Sequence, residues 1–143
     1  MVDTTKEILK EVTQLGARTT GLDLLVQHGS RARGDAHPLS DWDFAFEADN
    51  TFDPDAFLAD LVLVLHADRV DLVDLDRVGA LLRHRVARDG VCLFERAPQT
   101  FERFQLDAAT TWCDLAPILE AEYERVLERL HTCVAEHDRT QPE

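Results

Sequence analysis

The sequence feature that constrains this chain most is the stretch LLVQHGSRARGDAHPLSDWDFAFEA, residues 24–48. An apolar run leads into Gly29 and Ser30, ten residues follow, and Asp41 and Asp43 then open a second apolar run. In a β-strand alternate side chains point to opposite faces, so the two carboxylates share one face and the apolar residues take the other. Adjacent carboxylates repel each other and are tolerated best around a hard divalent cation such as Mg²⁺.

Length and charge limit the class of protein. The 143 residues predict a single domain over residues 1–143, and 28 acidic against 15 basic residues give a formal net charge of −13. Phosphate backbones repel such a chain, so long nucleic acid is disfavoured as a ligand, whereas a nucleotide carried with Mg²⁺ is compatible. The sequence contains neither a membrane-spanning apolar run nor the apolar stretch of a secretory signal, which predicts a cytoplasmic protein with no membrane partner.

Apolar periodicity predicts alternating helices and strands. The predicted strands are apolar runs: 22–28, 41–47, 69–75 and 91–95. The predicted helices have apolar residues three and four apart: 4–15 with Gly16 as its stop, one capped by Asp53 with Pro54 in its first turn, one from Asp76 to about Ala87, and a helical region from about 98. This order indicates an α+β (α/β) fold, a small mixed sheet of about four strands covered by helices, with a core at about 5–96 and C-terminal helices at about 98–137.

The C-terminal region carries one apolar stripe. Pro117 is expected to divide or kink this helix. The stripe comprises residues at helical spacing: Leu119, Tyr123, Val126, Leu127, Leu130, Cys133 and Val134. The pattern predicts that the stripe packs into the core, and the alternative is a face that binds a partner.

A third carboxylate, Asp71, lies in an apolar run where an unpaired buried charge would be costly. If its strand pairs beside that of Asp41 and Asp43, three carboxylates converge, enough for two Mg²⁺ ions and in-line displacement at phosphorus. The structural alternative is that Asp41 caps a turn and Asp71 pairs with Arg31 or Arg69.

The Gly29-Ser30 turn favours the first interpretation. Glycine lets the backbone approach a ligand closely, and a serine hydroxyl beside free N–H groups at the start of a short helix forms a phosphate cradle. Gly29 and Gly34 have the spacing of the P-loop glycines, but Asp35-Ala36 stand where that motif requires Lys and Ser/Thr.

The segment GSRARGDAHPLSDWDF, residues 29–44, has the pattern Gly-Ser, ten residues, Asp-x-Asp. It resembles the nucleotidyltransferase superfamily of DNA polymerase β type, and specifically its minimal members, the MNT proteins found beside HEPN ribonuclease toxins. Ser40 before the first aspartate and VDLVDL at 70–75 agree with this pattern. The resemblance covers about residues 5–135.

The resemblance implies roles for seven residues. Three acids would be both catalytic residues and metal ligands: Asp41, Asp43 and Asp71. Four residues would bind the nucleotide: Gly29, Ser30, Arg33 and Ser40. For Arg33, bracing the loop is the alternative to contacting phosphate.

The resemblance also implies a function. The chain would be the antitoxin of a type VII-like HEPN/MNT pair, transferring AMP from ATP to a tyrosine of its toxin with Mg²⁺, two ions, as cofactor. Two alternatives stay open at this stage: an antitoxin that masks the toxin by binding alone, and a nucleotidyltransferase acting on a small molecule, for which the chain has no evident acceptor-binding domain.

Overall fold

The structure, a computed structural model, describes residues 3–140, without the side chains at positions 138 and 140. The elements in chain order are α1 Thr4–Arg18, β1 Leu22–His28, α2 Gly29–Arg33, β2 Trp42–Ala48, α3 Pro54–Leu65, β3 Val70–Asp74, α4 Ala80–Asp89, β4 Val91–Glu95 and α5 Thr100–Thr140. The strands form one sheet in the order β3-β2-β1-β4. β1 is antiparallel to β2 and β4, whereas β2 and β3 are parallel. This arrangement confirms the predicted mixed sheet.

The alternation of side chains along the strands builds a core on each face of the sheet. Phe44 on β2 packs on one face with residues of α1 and α3, including Val12 and Phe57. Ala45 packs on the other face with residues of α4 and α5, including Val86 and Phe104. Burying a large apolar side chain stabilises the fold by about 1.5–3 kcal/mol. The two apolar layers therefore fix the sheet between the helices on its two faces.

The predicted start of α3 is confirmed. The Asp53 carboxylate accepts hydrogen bonds from the backbone N–H groups of Asp55 and Ala56, each at 3.1 Å. Pro54 occupies the first turn, where its missing N–H costs no hydrogen bond.

Two predicted helix ends were wrong. α1 runs through Gly16 to Arg18, because Gly16 faces Phe94, whose Cβ lies 3.2 Å from where a Cβ on Gly16 would stand. This glycine allows a helix to approach a strand. Asp76 does not cap α4, which begins at Ala80 after Gly79, because the preceding residues form a turn closed by Val78 N–H on Asp74 O at 3.2 Å.

α5 differs most from expectation. It is one helix of 41 residues with Pro117 inside it, so the predicted division is wrong. The predicted burial of its apolar stripe is also wrong: Tyr123 is 66% exposed and Val134 is 62% exposed. Within residues 3–140, no helix is both long enough and apolar enough to cross a membrane.

One half-buried carboxyl on the second face, that of Glu47, yields a pH-dependent prediction. Burial raises the pKa of Glu47, nearby Asp76 raises it further, and Arg83 opposes the rise. Because its pKa is higher in the folded than in the unfolded state, ionising Glu47 costs stability as the pH rises above about 4.3, the ordinary pKa of Glu. We therefore expect Glu47→Gln to raise the melting temperature at pH 7 and to lose this advantage near pH 4. Thermal unfolding across this pH range checks it, and an advantage that grows on acidification would contradict it.

Candidate active site

The site lies at the end of the sheet where β1 ends and where β2 and β3 begin. His28, the last residue of β1, is paired with Asp43, and Asp43 is paired with Asp71 of β3. Directly paired residues on neighbouring strands point to the same face. The sheet register therefore brings the predicted carboxylates Asp43 and Asp71 side by side, with a histidine next to them.

Gly29 is held against the Asp43 carboxylate. Its φ is +73°, a conformation that favours glycine, and a Cβ there would lie 3.0 Å from Asp43 Cγ and closer still to Asp43 Oδ2. α2 begins at this residue, so the backbone N–H groups of its first turn open beside the carboxylates. Ser30 follows in the same turn.

Burial and neighbouring carboxylates both disfavour the ionised form of Asp43. Burial raises the pKa of this half-buried carboxyl, and Asp71 and Asp41 raise it further, whereas His28 and Arg33 lower it. Asp71 and Asp41 therefore both lie within electrostatic reach of Asp43 and repel its carboxylate. A cation bound at this end of the sheet would reduce the repulsion between Asp43 and the other two carboxylates.

Asp71 is exposed, which corrects the expectation of a charge buried in an apolar strand. β3 is an edge strand, and Asp71 borders a cavity of about 320 Å³ together with Asp41, Asp68, Arg69 and Val70. The desolvation cost used to argue for a cation at Asp71 therefore does not apply, and its pairing with Asp43 in the sheet takes the place of that argument.

The arginines proposed as alternative partners of Asp71 act elsewhere. Arg31 donates from Nε and Nη2 to the Ser40 carbonyl oxygen at 3.2 and 2.9 Å, and its guanidinium lies 4.1 Å from the Trp42 ring centroid. Arg69 Nη1 lies 3.8 Å from Asp41 Oδ1 in an exposed pair, worth at most about 1 kcal/mol. No ion pair of Asp71 is found among residues 3–140.

The loop between α2 and β2 is held by its own contacts. Ser40 Oγ accepts a hydrogen bond from the backbone N–H of His37 at 2.9 Å, and Arg31 binds the Ser40 carbonyl oxygen. Arg33 is exposed and pairs with Asp35 at 3.4 Å, although its charge still lowers the pKa of Asp43. Nucleotide contacts by Ser40 and Arg33 stay predictions.

His28 is the residue whose part in the site the sequence motif did not assign. Its Nε2 is buried and has no hydrogen-bond partner among residues 3–140, and burial lowers the pKa of His28 against the opposing influence of Asp43 and Asp71. Burial therefore favours the neutral form of this half-buried imidazole, which is paired with Asp43 across the two strands. The signal in the sequence was its position directly before Gly29.

The carboxylates fit a magnesium ion that binds together with its substrate. Among residues 3–140 no three His, Cys, Asp or Glu side chains form a ready metal-binding group. Mg²⁺ is commonly held by one or two carboxylates together with substrate phosphates and water, so it does not need a closed protein cage. Asp43, with Asp41 and Asp71 around it, offers that kind of open oxygen site.

A Gly-Ser turn opening a helix beside carboxylates on two parallel strands defines a nucleotide-handling site of the phosphoryl-transfer class. Residues 10–99 match the family model described as Polymerase beta, Nucleotidyltransferase. This chain therefore belongs to the polymerase β-type nucleotidyltransferase family.

Individual relatives give a finer comparison. The chain is 29% identical over 137 residues to the protein adenylyltransferase MntA of Aphanizomenon flos-aquae (strain 2012/KM1/D3), which covers 87% of this chain and 91% of that protein. It resembles a chain in the crystal structure of a toxin–antitoxin with AMP-PNP at 27% identity and a TM-score of 0.69, over 84% of this chain and 98% of the other. A third similarity, in fold, is to a complex of a tri-AMPylated Shewanella oneidensis HEPN toxin with its MNT antitoxin, at 24% identity and a TM-score of 0.67, over 85% and 98% of the two chains.

Proposed function

We propose that this chain is a cytoplasmic antitoxin that acts as a Mg²⁺-dependent protein adenylyltransferase, moving AMP from ATP to a tyrosine of a HEPN ribonuclease toxin. The observation that carries the proposal is the sheet register that sets Asp43 beside Asp71 and against the Gly29 turn. Similarity to a named protein adenylyltransferase and to a toxin–antitoxin chain crystallised with AMP-PNP supports both the reaction and the partner.

The residues divide the work by position. Asp41, Asp43 and Asp71 would hold the metal, as two ions, and the metal supplies charge neutralisation of the triphosphate and of the developing transition state. The Ser30 hydroxyl and the N–H groups at the start of α2 bind the terminal phosphates, with Arg33 and Ser40 at the loop side.

The acceptor enters from the side of Asp71, which borders the open cavity. The tyrosine oxygen attacks the α-phosphorus of ATP and forms a new phosphorus–oxygen bond. The bond to the bridging oxygen breaks, and pyrophosphate leaves with that electron pair. The phenol proton passes to Asp71, which is exposed and, unlike Asp41, has no ion pair among residues 3–140.

Metal dependence gives a binding prediction. Because at least three carboxylates face a polyanion, we expect ATP to bind weakly in EDTA and at least tenfold more tightly with Mg²⁺. Isothermal titration with a non-hydrolysable ATP analogue measures both affinities. Equal affinity with and without the metal would remove the electrostatic basis of the site.

The test distinguishes neutralisation of the toxin by AMP transfer from neutralisation by binding alone. A HEPN toxin is incubated with the protein, ATP and Mg²⁺, weighed by mass spectrometry, freed of antitoxin, and assayed for RNA cleavage. The proposal expects added AMP and a toxin that stays inactive after the antitoxin is removed. An unmodified toxin that regains activity on separation would mean neutralisation by binding alone.

A further inference from the structure

The exposed part of α5 continues a buried surface beyond the end of the core. In the first half of the helix, Phe104 and Ala108 are buried, and Trp112 stacks on His84 of α4 at 5.0 Å between ring centroids. The same helix face then continues as the apolar stripe, but every side chain from residue 117 to 137 is exposed. The helix thus presents a core-type face with no covering from its own chain in residues 3–140.

The spacing of this face is that of a coiled coil. Leu119, Tyr123, Val126, Leu130 and Cys133 follow one another at intervals of four, three, four and three residues. This repeat is the one by which two α-helices interlock side chains along a shared seam. The repeat extends from residue 119 to residue 133, just over two heptads, and with Ala116 before it each helix has six seam positions.

We infer that the stripe is covered by the stripe of a second copy of this chain, running antiparallel. With the pair centred between residues 124 and 125, Tyr123 faces Val126 of the other copy, and Leu119 faces its Leu130. Ala116 then faces Cys133, a small side chain opposite a small one. Each of these layers therefore joins apolar or small side chains, and Leu127 and Val134 of the stripe lie beside the seam.

Charges beside the seam select this arrangement. Glu122 and Arg129 stand on the same flank of the stripe, both preceding seam positions, and antiparallel pairing sets Glu122 beside Arg129 of the other copy, twice by symmetry. Glu122 also pairs with Arg125 within its own helix, and both side chains are more than half exposed, at 58% and 64%. A carboxylate can accept from both arginines at once.

Other arrangements of the same helices lack these pairs. A shift of one heptad sets Arg129 against Arg129, or Glu122 against Glu122, and like charges repel. Parallel pairing sets Glu122 beside Leu127 and Arg129 beside Val134, with no ion pair. The sequence therefore distinguishes one register and one orientation.

The test is the mass of the full chain alone, without toxin or ATP, by sedimentation equilibrium over a concentration series. We expect twice the chain mass of 16.2 kDa, and monomer after Val126→Glu. Glu122→Arg or Arg129→Glu alone should weaken the dimer about tenfold, and combining them should restore it, because both symmetric pairs are then reversed together. Glu128→Arg, the same charge change on the outward face, should leave the dimer unchanged.

Orientation is read by cross-linking. In the antiparallel pair the two Cys133 residues are far apart, so mild oxidation should not link the unsubstituted chains, whereas Ala116→Cys should create a disulfide to Cys133 of the other copy. A Cys133–Cys133 link would overturn the antiparallel arrangement. Monomer at every concentration would overturn the dimer, and stripe variants that then lose toxin binding would assign the face to the toxin. Circular dichroism of each variant separates these outcomes from unfolding. The dimer stands or falls independently of AMP transfer.

Discussion

Replacing Asp41 and Asp43 together by Asn is expected to lower AMP transfer to the toxin by several orders of magnitude. Asn keeps the size of the side chain and part of its hydrogen bonding but removes the negative charge that binds Mg²⁺. If the carboxylates act as one unit, either single substitution should cost nearly as much as both. Mass spectrometry of the toxin over a time course measures the rate.

The structure supplies a matched control for this double substitution. Asp60→Asn with Asp114→Asn makes the same change of charge at two exposed positions, one on α3 and one on α5. This control should transfer AMP at the unsubstituted rate. A loss shared by both double variants would mean that transfer depends on the overall acidity of the chain and not on the site.

The fold should survive the loss of the two acids. Asp41 and Asp71 both raise the pKa of Asp43, so both repel the Asp43 carboxylate when no metal is bound. Removing two of them should leave the melting temperature in EDTA equal or higher. Toxin binding should also survive if the docking surface lies outside the metal site. A variant that binds the toxin and still neutralises it without adding AMP would mean that the protein acts by binding alone.

The sheet could be predicted because its strands carry their own signals. The bounds of β1 and β4 agree with the apolar runs at 22–28 and 91–95, and the cap of α3 follows from the chemistry of Asp53 and Pro54. Helix ends were harder to predict, because a glycine in the sequence can either end a helix or, as Gly16 does, allow the helix to approach a neighbouring side chain such as Phe94. Only the tertiary contact distinguishes the two.

The stripe on α5 shows a second limit. An apolar helix face has the same spacing whether its own domain or another molecule covers it, so the sequence predicts that it will be buried but not by what. Pro117 was misleading for a related reason. On an exposed helix the carbonyl that loses its N–H partner can bind water instead, so the helix continues past the proline.

The sequence motif named candidate site residues but could not predict how they are arranged. The spacing from Gly29 to Asp43 indicated the chemistry, yet the exposure of Asp71 depends on β3 being an edge strand. The part played by Arg31, which joins the Ser40 carbonyl oxygen to the face of Trp42, depends on how the loop folds back. Neither the exposure of Asp71 nor the contacts of Arg31 has a local signature in the sequence.

Gly29→Ala is the second substitution for which we expect a large effect. The new methyl group would meet the Asp43 carboxylate, and the backbone at φ +73° would be strained as well. The clash is relieved only if Asp43 moves, and displacing a catalytic group by about 1 Å can cost about 100-fold in rate. We therefore expect AMP transfer to fall at least that far, with a lower melting temperature.

Gly34→Ala separates the two causes. Gly34 has φ +81°, but a Cβ there meets nothing within 4 Å, so this variant carries the backbone strain without the clash. It should lose about 1 kcal/mol of stability and keep most of its transfer activity. Transfer rates and thermal unfolding of both variants, measured with saturating ATP and Mg²⁺, give the comparison. If the two alanines reduce transfer equally, the strain alone accounts for the effect, and the close approach of Gly29 to Asp43 does not position the carboxylate for the reaction.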